Sequence, residues 1–242
     1  MKIVFIGSGS IIFVKNLIGD CLLTPCLSGA EYALLDIDAE KLALSERMLQ
    51  RLNESVNSGR AHIRAYTSQK EALRGADFVI SAIQVGGYRR VVPDFEIPAK
   101  YGLKQTYADT LGIGGIFRGL RTVPVMQDIV RDMMEVCPDA WLLNYVNPMA
   151  IITGAMLKST GVKMVGLCHS VQVCASDLLS GLGMPTDHLR YKIAGINHQA
   201  WLLELEQNGV DIYPEIRKRA FARKDIHPDM VRYEIFRCFG YY

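Results

Sequence analysis

Apolar residues recur along the chain in two spacings. Short β-rich apolar runs lie at residues 2–6, 33–35, 62–65, 77–82, 140–143 and 163–167. Between them, residues 12–23, 39–56, 68–73 and 122–136 carry apolar positions at helical spacing, with charged residues such as Glu40, Lys41, Glu46 and Arg47 left for an exposed face. Strands alternating with helices predict an α/β fold, a doubly wound parallel (Rossmann-like) sheet. This domain is expected over residues 1–195. Residues 196–242 are expected to begin a second, α+β catalytic domain, apparently incomplete, with a helix near 233–236 and the start of a strand at 239–242. The alternation lapses between residues 89 and 119. Residues 107–115 are dense in glycine and predict a long loop, and a long loop inside a compact domain is usually functional or disordered. The apolar and aromatic residues around it argue against disorder.

Composition removes several classes. Half of the 242 residues are hydrophobic, so a sizeable core can form. The net charge is +2 with charges interspersed, whereas a nucleic-acid surface would show a basic stripe. No apolar run approaches the roughly 20 residues of a membrane span. Residues 2–6 are read as a strand and not a signal peptide, because Gly7 and Gly9 interrupt the run and no small-residue cleavage site follows. Six cysteines at irregular spacing fit a reducing cytoplasm better than a disulfide framework.

Candidate chemistry gathers at the predicted strand ends, where open α/β sheets bind ligands. Gly7-Ser8-Gly9-Ser10 lies between a strand and a helix. That context suits a phosphate-binding turn, in which glycines admit the pyrophosphate and the helix N-terminus supplies N–H groups. The third glycine is missing, since Ile12 stands there, and a plain glycine turn is the alternative. Asp36 ends the second strand, somewhat farther on than the usual ~20 residues, where an acid can accept from the ribose hydroxyls and repel a 2′-phosphate. Together these predict a dinucleotide, NAD in preference to NADP. Gln84 and Gly86 follow the fourth strand, where a nicotinamide ribose would lie, and a flexible loop is the alternative. Asp109 can cap a turn or tune a neighbouring acid or base. Asn144 and Asn147 close the next strand. The proline after Asn147 holds it extended, and its amide suits a sugar hydroxyl, with a helix N-cap as the alternative.

Cys168-His169-Ser170 closes the sixth strand, and Gly195-Ile196-Asn197-His198 follows. A lone cysteine is usually an apolar filler and a lone histidine a satisfied polar residue. Cys168 and His198 together are a candidate pair of divalent-metal ligands in front of the dinucleotide. Spacing alone marks such a pair weakly beside paired Cys-x-x-Cys motifs.

These motifs, with Asp109-Thr-x-Gly-x-Gly-Gly, resemble in order those of the family-four glycoside hydrolases, which are NAD- and manganese-dependent. Cys168-His169-Ser170 most resembles the α-galactosidase (melibiase) branch. The resemblance implies that Cys168 and His198 bind Mn²⁺ or another divalent metal and that Asn147 binds the sugar. Gly7, Ser8, Gly9, Ser10, Asp36, Gln84, Gly86 and Asn144 are the candidate NAD-binding residues. The resemblance also implies that Asp109 raises the basicity of a catalytic tyrosine beyond residue 242, family members being nearly twice this length. His169 stands where other members place the acid that protonates the leaving group; an imidazole can serve there. Val91 stands roughly where some members carry a sugar-binding arginine, near Arg89 and Arg90. The implied reaction hydrolyses an α-galactoside by transient oxidation at C3, C2 deprotonation, elimination and water addition. The implied assembly is a dimer or tetramer. The alternatives are an NAD-dependent 2-hydroxyacid dehydrogenase of malate or lactate type and a catalytically silent dinucleotide-binding module.

Overall fold

A computed structural model of the chain describes residues 1–104, 110–224 and 229–242. Packing divides it into two compact units, Met1–Leu167 and Cys168–Tyr242.

The first unit follows the predicted alternation. Its elements are β1 (Lys2–Ile6), α1 (Ile11–Leu23), β2 (Glu31–Leu35), α2 (Ala39–Asn57), β3 (His62–Tyr66), α3 (Gln69–Leu73), β4 (Phe78–Ser81), α4 (Gly87–Lys100), α5 (Gly112–Val136), β5 (Trp141–Asn144), α6 (Met149–Ser159) and β6 (Lys163–Gly166). The six strands are parallel, in the order β3-β2-β1-β4-β5-β6. This is the doubly wound order in which two halves spread outward from β1 and β4. Alternate side chains of one strand serve both faces. Ile3 and Phe5 of β1 pack with Val14, Ile18 and Leu22 of α1 and Leu42 and Leu49 of α2. Val4 and Ile6 point the other way, toward Leu73 of α3, Met126 and Val130 of α5 and Ile152 of α6.

The expected loop over residues 89–119 is mostly helix. α4 begins at Gly87 and contains Pro93 and Pro98, and α5 begins at Gly112 and contains Pro124. Prolines and glycines argue locally for a break, and here packing overrides them. The buried glycines of α5 serve close approach. A Cβ on Gly115 would lie 2.9 Å from the backbone carbon of Thr110, and one on Gly119 would lie 3.0 Å from Ile151 Cγ2 of α6. Residues 107–109, and with them Asp109, fall outside the described residues.

The second unit contains α7 (His169–Gly181), the antiparallel strands β7 (Leu189–Ile196), β8 (Gln199–Gln207) and β9 (Val210–Asp211), and the helices α8 (Tyr213–Ala222) and α9 (Met230–Phe239). Its core joins Ala175, Leu178 and Leu179 of α7 to Leu202 and Leu205 of β8, Ile216 of α8 and Phe236 of α9. Packing therefore draws the boundary before α7, earlier than the division expected at residue 195, because α7 buries its apolar face in this core. The β7–β8 ladder carries a register shift between Lys192 and Ile193, which pair with Glu204 and Leu202. Leu203 is the extra residue of this bulge. Leu202 and Leu205, three apart, would face opposite sides of a regular strand; across the bulge both reach the core. Residues 239–242 do not form the expected strand. Instead the Leu202 N–H donates to the Tyr242 carbonyl at 2.7 Å, and the Tyr242 N–H donates to the Tyr213 hydroxyl at 3.2 Å.

Candidate active site

In the first unit the turn after β1 is held from several sides. The Gly7 and Ser8 N–H groups both donate to the Leu35 carbonyl, and Gly7 takes φ +96°. Ser8 is fully buried; its hydroxyl donates to the Phe5 carbonyl at 2.8 Å and accepts from the Leu35 N–H. The Ser45 hydroxyl of α2 donates to the Ser8 carbonyl at 2.7 Å. Ser8 therefore shapes the turn with an inward side chain, whereas Ser10 is exposed at the start of α1 and makes no side-chain cap. Asp36, at the end of β2, accepts from Gly9 N at 2.6 Å and from Asp38 N at 2.9 Å. A carboxylate has about four lone-pair positions, so both oxygens keep acceptor capacity toward a ribose. The sequence motif does not mark Ser45, whose only signal is a small polar residue on the buried face of a helix. Ser45→Ala should strand the Ser8 carbonyl and cost about 1–3 kcal/mol. A thermal melt, run beside an NAD titration, measures this.

The turn after β4 places Gln84 and Gly86 at the same sheet edge. Gly87 N–H donates to the Gln84 carbonyl at 3.3 Å, and Gly86 (φ +82°) caps α4. Asn144 is fully buried at the end of β5. Its Nδ2 donates to the Val146 carbonyl (3.2 Å) and to Thr153 Oγ1 (3.4 Å), and its Oδ1 accepts from Val146 N–H (3.1 Å). Its amide is thus spent on the strand end that carries Asn147. Asn147 is half-buried, precedes a cis peptide bond to Pro148, and its Oδ1 accepts from Met149 N–H at 3.4 Å. Of Arg89, Arg90 and Val91, Arg90 lies with its stem under Gly86.

In the second unit Cys168 is the half-buried N-cap of α7 and His169 is the helix's first, exposed residue. A helix N-terminus favours negative charge, and the thiolate is the ligating form of cysteine. Asn197 and His198 form the two-residue turn between β7 and β8. Gly195 makes this hairpin possible: at φ +145° its Cβ would lie 2.5 Å from Ala200 Cα and Gln199 O. His198 is exposed and left-handed at φ +63°. Such a backbone is uncommon outside glycine, and the tight hairpin turn calls for it here as it does at Asn208 before β9. Beside His198, Asn197 Oδ1 is buried with no hydrogen-bond partner among the described residues. Among those residues no three His, Cys, Asp or Glu gather as a metal-holding set. By donor chemistry alone, a thiol and an imidazole are side chains of the kind that bind divalent ions.

The model for family 4 glycosyl hydrolases matches residues 2–184, and the model for their C-terminal domain matches residues 193–242. An alpha-galactosidase of Bacillus subtilis (strain 168) is 58% identical over 243 residues, which cover 100% of this chain and 56% of the relative. The chain thus spans about half the length of the curated relatives it matches. A solved Bacillus subtilis protein described as a candidate glucosidase superposes with TM-score 0.88 at 28% identity, covering 100% of this chain and 60% of that one. A 6-phospho-alpha-glucosidase from gut microorganisms, in complex with NAD and Mn²⁺, superposes with TM-score 0.80 at 24% identity, covering 92% and 51%. A malate dehydrogenase from Plasmodium falciparum, at TM-score 0.65 and 16% identity, covers 90% and 62% and shares the fold. With family models matching both units, this chain belongs to glycosyl hydrolase family 4.

Proposed function

We propose that the protein is an NAD- and divalent-metal-dependent α-galactosidase. The observation that carries this reading is the 58% identity to an alpha-galactosidase along the whole chain. The likeness to dehydrogenases speaks for the fold alone, so the hydroxyacid reading gives way. Bound NAD would supply reversible hydride acceptance at a sugar carbon, and a bound Mn²⁺ would supply Lewis acidity.

The chain's own residues would then divide the work. Gly7, Gly9, Ser10 and the start of α1 would receive the pyrophosphate, with Ser8 holding the turn from beneath. Asp36 would accept from the adenine-side ribose, and Gln84 and Gly86 would line the other ribose. Asn144 would act through the strand end it ties, setting Asn147 to hydrogen-bond a sugar hydroxyl. Cys168 and His198 would hold the metal, the imidazole aimed by the hairpin and the thiolate by the helix N-terminus. His169 would give a proton to the leaving oxygen. Asp109 would raise the basicity of a tyrosine supplied by a longer chain. We also propose a cytoplasmic location, which the six free cysteines support, and assembly as a dimer or tetramer. Among the described residues no helix is long and apolar enough to cross a membrane.

The test is release of nitrophenol from nitrophenyl α-galactoside, with NAD and Mn²⁺ present or withheld. It is run on this chain and on one extended to the length of its relatives. Release that needs both additions, without accumulation of NADH, is expected from the extended chain. Stoichiometric NADH formation from a 2-hydroxyacid would overturn the reading. Preference for α-glucoside or a 6-phospho sugar would replace the substrate.

A further inference from the structure

The strand order reverses between β1 and β4, and a ligand crossing an open α/β sheet lies at that reversal. Asp36, on the β2 side, takes the adenosine half in the reading above. The turn after β4 then faces the nicotinamide half. That turn contains consecutive left-handed glycines, Gly86 at φ +82° and Gly87 at φ +59°. Glycine pairs have the largest choice of backbone conformations, so a turn built on them needs an outside restraint to hold one shape.

The restraint is visible. Arg121 of α5 donates from Nε to the Val85 carbonyl at 3.3 Å. Its two terminal nitrogens donate to both oxygens of Asp94 on α4, at 3.3 and 2.7 Å. Asp94 is only 2% exposed. A Cβ on Gly86 would lie 2.5 Å from Arg90 Cγ and 3.6 Å from Arg121 Cδ, so two arginine stems floor the turn. A bidentate guanidinium is planar and holds its third donor in a fixed direction. A buried ion pair is poor evidence of stabilisation, since apolar residues of like volume often serve as well. What an apolar pair could not supply is the donor to Val85.

We propose that Asp94 and Arg121 are positioning residues that set the Val85–Gly86–Gly87 turn for the nicotinamide half of the dinucleotide. The inference rests on the cofactor reading above. Asp94 orients the guanidinium; the guanidinium holds the Val85 carbonyl; the carbonyl fixes where the glycine pair begins.

The test compares two ligands by calorimetry on this chain. NAD spans both halves of the site, whereas ADP lacks the nicotinamide and the ribose that carries it. The variants are Arg121→Lys, which keeps a charge for Asp94 and loses the fork, and the double change D94L/R121M, which leaves no uncompensated buried charge. Circular dichroism confirms the fold of each. NAD binding should weaken about five- to tenfold, the worth of one hydrogen bond, while ADP binding changes less than about twofold. Equal weakening of both ligands, or of neither, in the folded variants would overturn the positioning role alone. An unsubstituted chain that binds neither ligand would overturn the cofactor reading and this inference with it.

Discussion

Replacing Cys168 by serine is expected to weaken Mn²⁺ binding by at least about a hundredfold, more than loss of an outer-shell partner usually costs. It should take the metal-dependent release of nitrophenol with it. With two protein ligands proposed, each carries a large share of the metal's hold, and a hydroxyl at Cys168 replaces a soft thiolate with a poor donor. His198→Ala should do the same. The manganese electron-spin signal, titrated against each variant, reads the loss directly. A third variant separates ligation from folding. At φ +63° an alanine carries strain of about 1–2 kcal/mol that glycine avoids. His198→Gly should therefore bind manganese no better than His198→Ala yet melt at a higher temperature. Undiminished manganese binding in both Cys168→Ser and His198→Ala would remove the metal assignment.

The second large effect is expected at Gly7. A Cβ there would stand 2.5 Å from the Ala82 carbonyl oxygen and 2.9 Å from its carbon. Both are backbone atoms next to a central strand and cannot step aside. Gly7 also sits at φ +96°. Gly7→Ala should cost roughly 2–4 kcal/mol of stability by strain and overlap, and NAD binding should fall more than tenfold as the turn moves. Gly9→Ala provides the contrast. Its Cβ would meet the Asp36 carboxylate at 2.8 Å, a side-chain end that can rotate, and Lys41 Cβ at 3.2 Å, which need give only a few tenths of an ångström. It should melt closer to the parent, with its loss concentrated in the ribose contact that Asp36 serves. Denaturant midpoints and NAD titrations of the pair decide this. Equal stability of the two variants would contradict the backbone argument.

Much of this architecture was readable from residue order. Apolar runs located β1 and β4 because both are buried on two faces, and the two glycines after β1 lie in the turn before α1. Cys168 and His198 were likewise found at turns, one before a helix and one between strands. The failures have physical causes. The segment from Arg89 to Gly119 reads as loop because glycine and proline are local breakers. Nothing local says that Gly119 must lie against Ile151. An amphipathic helix such as α7 does not reveal in its sequence which sheet will cover its apolar stripe. Ser45, Asp94 and Arg121 went unnoticed because each acts through a partner far along the chain, and such pairings leave no spacing to recognise.

The extra residue Leu203 carries one last implication. Side chains along a ladder swap faces at every step, so shortening β8 by one residue would reverse the orientation of everything on one side of the cut. Either Leu205 would leave the interior or the tip bearing His198 would be flipped. The hairpin is keyed like a lock at its far end. Evolutionary length changes should therefore be rare between Gly195 and Leu205 and freer around Asn208, because Leu202 and Leu205, on the strand that leaves the turn, tie its register to the core.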